Sequence, residues 1–194
     1  MKHKFTPAVA AIALIVAFFP LAGPVFAQTS DQTVTPAEDL DALFAELKQP
    51  LDGDWRSVEN RIWRVWSHSG SASMDFLLER GRDATRAGDF EKAVEHLTAL
   101  TDHAPEFAEG WNARATVYFM MDKYGLAIAD IQRTLALNPR HFGAMSGLAM
   151  IFERLDQPKK ALEVYRKAHS IHPLRPDILK AIKRLEDETQ GVEL

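Results

Sequence analysis

The sequence contains no cysteine among its 194 residues. Disulfides, cysteine-based zinc sites, iron–sulfur ligation and thiol catalysis are therefore excluded, and the fold must be stabilised by packing alone. The chain also lacks a basic block, and its formal net charge is −4 at pH 7. Because nucleic acid and anionic lipid attract positive surfaces, we expect neither of them as a partner.

Enzyme motifs are also missing. The sequence has no glycine-rich phosphate loop, no H-E-x-x-H zinc motif and no nucleophile elbow. Serine, histidine and aspartate are present, but nothing in their order suggests a catalytic triad. We therefore expect no enzymatic activity, no catalytic residue and no cofactor.

The first residues have the layout of a secretory signal peptide. Two lysines precede an apolar run over 8–19, and small residues at Val25 and Ala27 suit cleavage near Ala27. The run is too short for an uncleaved membrane anchor, which needs about 20 apolar residues. The sequence predicts a signal peptide over 1–27 and a periplasmic or secreted protein that does not span a membrane after cleavage.

Two segments separate the signal peptide from the rest of the chain. Residues 28–37 are polar and lack periodicity, which predicts a flexible leader. Residues 38–70 contain two amphipathic stretches, the second capped by Asp54, on either side of a turn. We interpret 38–70 as a helical hairpin, a degenerate repeat that caps the N-terminal end of the segment beginning at residue 74.

From residue 74 onward, the chain repeats itself every 34 residues. Pro105, Pro139 and Pro173 are spaced by that interval, which divides the chain without gaps into 74–107, 108–141 and 142–175. Each unit has a small residue at position 8 and alanine at position 20. Those residues are Gly81, Ala115 and Ala149, and Ala93, Ala127 and Ala161. Small residues at these positions let two helices approach closely.

These units resemble the tetratricopeptide repeat (TPR) family, whose unit is a 34-residue helix–turn–helix. The resemblance implies an all-α, right-handed TPR superhelix of three repeats. The segment 176–189 would be a C-terminal capping helix, with Ile178, Ile182 and Leu185 facing inward.

The resemblance also implies a concave groove lined by the first helix of each repeat. Phe119, Met120 and Met150 form an apolar patch there, unless Phe119 and Met120 pack beneath the next repeat instead. We expect the groove to bind a protein or peptide segment. The predicted partner-binding residues are Arg82, Arg86, Asn112, Thr116, Phe119, Met120, Ser146, Met150 and Arg154.

The expected function is that of an adaptor or scaffold that holds a partner without doing chemistry. Clamp-type binding of C-terminal carboxylates, which some TPR domains perform, is not expected, because Leu78 and Arg82 stand where that clamp needs Lys and Asn. The alternative is a periplasmic cofactor or assembly chaperone, for example in cytochrome maturation. An exposed end of the stack also offers a surface for self-association.

Three sets of residues have two interpretations each. Trp63 and Trp66 could form an aromatic cage, but an apolar plug on the first repeat is favoured. Arg80 and Arg114 could be groove cations, but pairing within their own hairpins is favoured, above all Arg114 with Asp130. A third set, His169 and His172, is too few ligands to predict a metal site.

Overall fold

The structure is a computed structural model that describes residues 38–50 and 53–191. The predicted signal peptide (1–27) and leader (28–37) lie outside the described residues. Over the described ranges the fold is all-α, as expected. Its helices are α1 (Leu40–Lys48), α2 (Trp55–Trp66), α3 (Ala72–Arg86), α4 (Phe90–His103), α5 (Ala108–Met120), α6 (Tyr124–Leu137), α7 (Phe142–Arg154), α8 (Pro158–Ile171) and α9 (Pro176–Gly191).

Three helical hairpins, α3–α4, α5–α6 and α7–α8, follow the 34-residue period. The turn inside each hairpin contains one residue with positive φ: Gly88 at 76°, Asp122 at 56° and Asp156 at 55°. Glycine adopts this conformation freely, and aspartate is among the few other residues that tolerate it. The same turn geometry is therefore kept where the sequence no longer has glycine.

The close helix contact predicted at position 8 is present in the first repeat. A Cβ atom placed on Gly81 would lie only 2.5 Å from Cγ and Cδ2 of Leu97. Both Leu97 and Ala93 on α4 are fully buried. The equivalent alanines of the other repeats are also buried: Ala115 and Ala127, then Ala149 and Ala161. The small residues therefore set the distance between the two helices.

Replacing Gly81 by alanine is expected to lower the free energy of unfolding. The overpacking against Leu97 costs about 1–3 kcal/mol, and the better helix propensity of alanine returns about 1 kcal/mol. Urea unfolding followed by circular dichroism measures the difference. Gly125→Ala is the control, because a methyl there meets nothing within 4 Å and should be neutral or stabilising. A Gly81→Ala protein as stable as the control would show that Leu97 yields without cost.

The predicted ion pair between Arg114 and Asp130 is confirmed. It is bidentate, with Nε 2.7 Å and Nη2 2.9 Å from the two carboxylate oxygens. Nη1 of Arg114 also donates to the hydroxyl of Thr101 at 2.9 Å. Arg80, for which a similar pairing was considered, is exposed, and the described part of the chain shows no ion pair for it. The two arginines at this repeat position therefore differ in role.

The C-terminal helix α9 covers the last repeat as the sequence predicts. Ile178, Ile182 and Leu185 are buried in a cluster with residues of α7 and α8. On its polar side Arg184 pairs with Glu153 of α7. The helix thus combines an apolar inner stripe with a charged outer surface.

The N-terminal hairpin is formed by α1 and α2, but it does not lie where a cap on the first repeat would lie. Its apolar residues form a cluster with Phe142, the first residue of α7 in the third repeat. The expected seat of Trp63 and Trp66 on the first repeat is therefore wrong, although Trp66 is buried like a plug. On α3 of the first repeat, Phe76 remains 64% exposed. Self-association through such an end stays a prediction.

Candidate binding groove

The first helices of successive repeats, α3, α5 and α7, lie side by side. A hollow of about 380 Å³, here called the apolar hollow, lies between α5 and α7. It brings together six of the nine predicted groove residues: Asn112, Thr116, Phe119, Met120, Ser146 and Met150. Residues that lie up to 38 positions apart in the chain therefore share one surface, and their role in binding stays a prediction.

The apolar side chains of this hollow are partly accessible to solvent. Met120 is 50% exposed and Met150 is 43% exposed. Phe119 is half-buried, with its ring 5.9 Å from that of Tyr124 on α6, so it supports its own repeat while lining the hollow. Methionine adapts to irregular partners. The hollow therefore offers adaptable apolar contacts beside the packed ring of Phe119.

A second hollow, here called the charged hollow, adjoins the first. Its volume is about 310 Å³, and it shares Asn112 and Thr116 with the apolar hollow. Predicted groove residues Arg82 and Arg86 line it, as does Trp63 of α2. The two adjoining hollows are here together called the groove. Arg154, the remaining predicted residue, is exposed at the end of α7 and lines neither hollow.

The arginines of the charged hollow are already engaged. Arg82 donates from Nη2 to Oε1 of Glu109 at 2.6 Å and from Nη1 to the hydroxyl of Ser67 at 3.1 Å. Arg86 pairs with Glu79 and Asp83 of its own helix. Neither guanidinium is therefore a free cation for an acidic ligand.

Glu109 is the centre of a buried polar cluster. It is 3% exposed, and its second carboxylate oxygen lies 3.0 Å from Nε2 of the fully buried His141. The backbone N–H of Ala144 donates to Nδ1 of His141 at 3.0 Å. Because Nδ1 accepts, the proton of a neutral imidazole must sit on Nε2 and point to Glu109. Glu109 thereby joins α3, α5 and the start of α7.

A second cluster surrounds Glu59 of α2. Its carboxylate lies 3.2 Å from Nε2 of His172 and 3.4 Å from Nη1 of Arg175, and it accepts a hydrogen bond of 3.1 Å from Nε1 of Trp63. Burial alone would raise the pKa of this carboxyl, but the hydrogen bonds from His172 and Trp63 and the charge of Arg175 lower that pKa. Glu59 is therefore ionised and held by groups more than 110 residues away in sequence.

Aromatic contacts also hold α2 on the surface around His141, Gly143 and His172, here called the seat of α2. The ring of Trp66 stacks on His141 with centroids 4.2 Å apart, and Trp55 meets His172 edge-on at 5.2 Å. Trp63 fits over Gly143, where an added Cβ would lie 2.6 Å from its Cη2. The contacts of α2 thus extend from the start of α7, near its C-terminal end, to the segment between α8 and α9, near its N-terminal end.

These seat residues were not predicted as a site from the sequence. Neither Glu59 nor His141 belongs to a motif or spacing from which a site could be predicted. The available signal was Glu109, an acid at the second position of a first helix, which the family fold places on the concave face. Its partners lie too far away in sequence for any spacing rule to find them.

The described residues contain no group of three or more side chains suited to hold a metal ion. His172, which was considered with His169 as a metal ligand, contacts the carboxylate of Glu59 instead. The alternative of a cofactor or assembly chaperone stays a prediction, which the visible absorption of protein isolated from its host would test. Among the helices that the structure describes, none is long and apolar enough to cross a bilayer.

Comparison with known proteins agrees with this geometry. A family model described as tetratricopeptide repeat matches residues 78–121 and 113–176, about half of the chain. The chain belongs to the tetratricopeptide repeat family. A TPR repeat-containing protein of Rhizobium etli is 30% identical over 168 residues, which are 86% of this chain and 82% of that protein.

More distant relatives match a smaller part of the chain. The BBSome complex member BBS4 homolog of Drosophila melanogaster is 24% identical over 113 residues, which are 58% of this chain and 23% of that protein. Among solved structures, the first TPR of Spaghetti (RPAP3) bound to HSP90 peptide SRMEEVD has a TM-score of 0.58 at 20% identity, over 60% of this chain and 93% of that one. At this identity the likeness concerns the fold alone.

Proposed function

We propose that this TPR protein is a non-catalytic adaptor that holds a segment of another protein in its groove. The observation that carries the proposal is the apolar hollow, in which Met120 and Met150 are about half exposed beside Phe119. Covering these side chains would remove apolar area from water, worth about 25 cal/mol per Å². The charged hollow adjoins the apolar hollow, which extends the surface on which an extended or helical segment could lie.

The partner segment is expected to bind through apolar anchors rather than through an acidic tail. The HSP90 peptide in the Spaghetti (RPAP3) structure, SRMEEVD, ends in acidic residues. In this chain Arg82 is paired with the buried Glu109 and Arg86 with Asp83 of its own helix. Leu78 stands where a carboxylate clamp would need a lysine. An apolar segment with few charges therefore suits the groove better.

We also propose that the protein acts after export, in the periplasm or outside the cell. This proposal is supported by the signal-peptide layout of residues 1–27. A partner would then be found among exported or envelope proteins, and envelope extract is the material in which to search for it.

Replacing Met150 by glutamate is expected to abolish capture of the partner. The change puts a charge into the apolar hollow, which the partner would have to desolvate. Tagged wild-type and variant proteins are compared by pull-down from envelope extract and mass spectrometry, and the captured protein is then titrated in purified form. We expect affinity for that protein to fall at least tenfold.

Leu126→Glu provides the matched control, because Leu126 on α6 is also 50% exposed and does not line either hollow. This variant should keep the partner. A partner retained by Met150→Glu, or lost equally with Leu126→Glu, would show that the groove is not the working surface.

A further inference from the structure

The hairpin of α1 and α2 contacts the repeats as a bound helix would. Only the short segment 67–71, with Gly70 at a φ of 84°, joins it to α3. Its most specific contacts are with residues distant in the chain, such as His172 and Arg175. A helix held across several repeats through one face has the geometry of a ligand helix in a groove.

One face of α2 carries four of the residues that contact the repeats. Trp55, Glu59, Trp63 and Trp66 follow each other at intervals of four, four and three residues. Such spacing places side chains on one side of a helix. The recognised pattern is therefore aromatic, acid, aromatic and aromatic over about three turns.

The solenoid supplies a matching partner for each of these side chains. His172 meets the first tryptophan, Arg175 and His172 meet the carboxylate, and His141 stacks on the last tryptophan. Gly143 leaves the space that the ring of Trp63 occupies. A larger residue at that position would exclude the ring, so the seat is selective for shape as well as for charge.

We infer that this surface, the seat of α2, is a helix-docking site that α2 occupies within the same chain. When the hairpin leaves, the site accepts an amphipathic helix of another protein with the same pattern of one acid among three aromatic residues. This site goes beyond the proposed adaptor function, because its occupant is defined by α2 whatever the apolar hollow binds.

Occupancy of the seat also determines the size of the groove. Trp63 forms part of the wall of the charged hollow, beside Arg82 and Glu109, and Ser67 accepts a hydrogen bond from Arg82. Departure of α2 would remove this wall and free one donor of Arg82. An incoming helix of the same pattern would put an aromatic residue back in the place of Trp63, so the charged hollow is widest while the seat is empty.

The test uses a fluorescein-labelled peptide of residues 38–69 as the probe. It is titrated against the unaltered full chain and against a full chain with Glu59→Ala and Trp63→Ala in its own α2. A tethered helix competes at an effective concentration of about the millimolar range. By fluorescence anisotropy, we therefore expect the altered chain to bind the peptide at least tenfold more tightly than the unaltered chain.

Two controls assign the binding to the seat. A peptide carrying Trp63→Ala should lose binding to the altered chain. Adding Gly143→Leu to the altered chain should also abolish binding of the unaltered peptide, because the leucine fills the space of the indole.

Three outcomes would overturn the inference. Equal affinity of both chains for the peptide would show that α2 does not compete for the site. No binding by an altered chain whose circular dichroism matches that of the unaltered chain would show that the seat does not accept a helix in trans. Loss of the helical signal of the repeats would show that the hairpin is part of the structural core rather than a bound ligand.

Discussion

Replacement of Arg114 by leucine is expected to lower the free energy of unfolding by about 3–5 kcal/mol, the usual cost of breaking a buried ion pair. Asp130 is only 5% exposed, and the guanidinium provides both of its close contacts, at 2.7 and 2.9 Å. Without it the carboxylate stays in the interior between α5 and α6 with its charge uncompensated. Urea or thermal unfolding followed by circular dichroism measures the loss.

The double variant Arg114→Leu, Asp130→Leu distinguishes the destabilising effect of the unpaired buried charge from that of lost packing. Removing both charges takes away the desolvation penalty, so much of the lost stability should return. The pair would be structurally dispensable if Arg114→Leu alone unfolded at the same urea concentration as the wild-type protein.

Replacement of Phe142 by alanine is expected to lower the free energy of unfolding by a similar amount, about 3–5 kcal/mol for a fully buried phenylalanine. The ring is 0% exposed, and it lies 5.7 Å from the ring of Trp63 and 5.1 Å from that of Trp66. The cavity would therefore open between α7 and the N-terminal hairpin. We expect a shift of tryptophan fluorescence to longer wavelength together with the loss of stability.

Phe119→Ala is the matched control for this change. Phe119 is half-buried and contacts Tyr124 rather than a tryptophan, so its removal should cost less and leave tryptophan emission unchanged. Identical emission from Phe142→Ala and the wild-type protein would contradict the placement of the hairpin against α7.

The repeats were predictable from the sequence because their contacts are local. Gly81 meets α4 of the same hairpin, and Arg114 meets Asp130 only 16 residues away. The inward stripe of α9 was equally predictable, because Ile178 and Leu185 occupy one side of a single helix. In each case a spacing along the chain fixes which side chains face each other.

The seat of α2 was not predictable for the opposite reason. The spacing of Trp63 and Trp66 indicates that one face is buried, but it does not say against what. That depends on Phe142 and on the space above Gly143, which belong to a repeat about 80 residues further along the chain. The hydrogen bonds of Arg82 were likewise not predictable, because their acceptors are Glu109 of the next repeat and Ser67 of the hairpin.

The contact between Glu59 and Arg175 bridges 116 positions of the chain, and this affects how the molecule unfolds. Repeat arrays usually contact only their neighbours, so their stability is a sum of repeat and nearest-neighbour terms and their ends fray independently. Here a segment that precedes the first repeat is held by His172 and Arg175, at the end of the third repeat. Displacement of the segment that contains His172 and Arg175 would break their contacts with Glu59. Docking of α2 therefore requires closure of a long loop, which contacts between neighbouring repeats do not need.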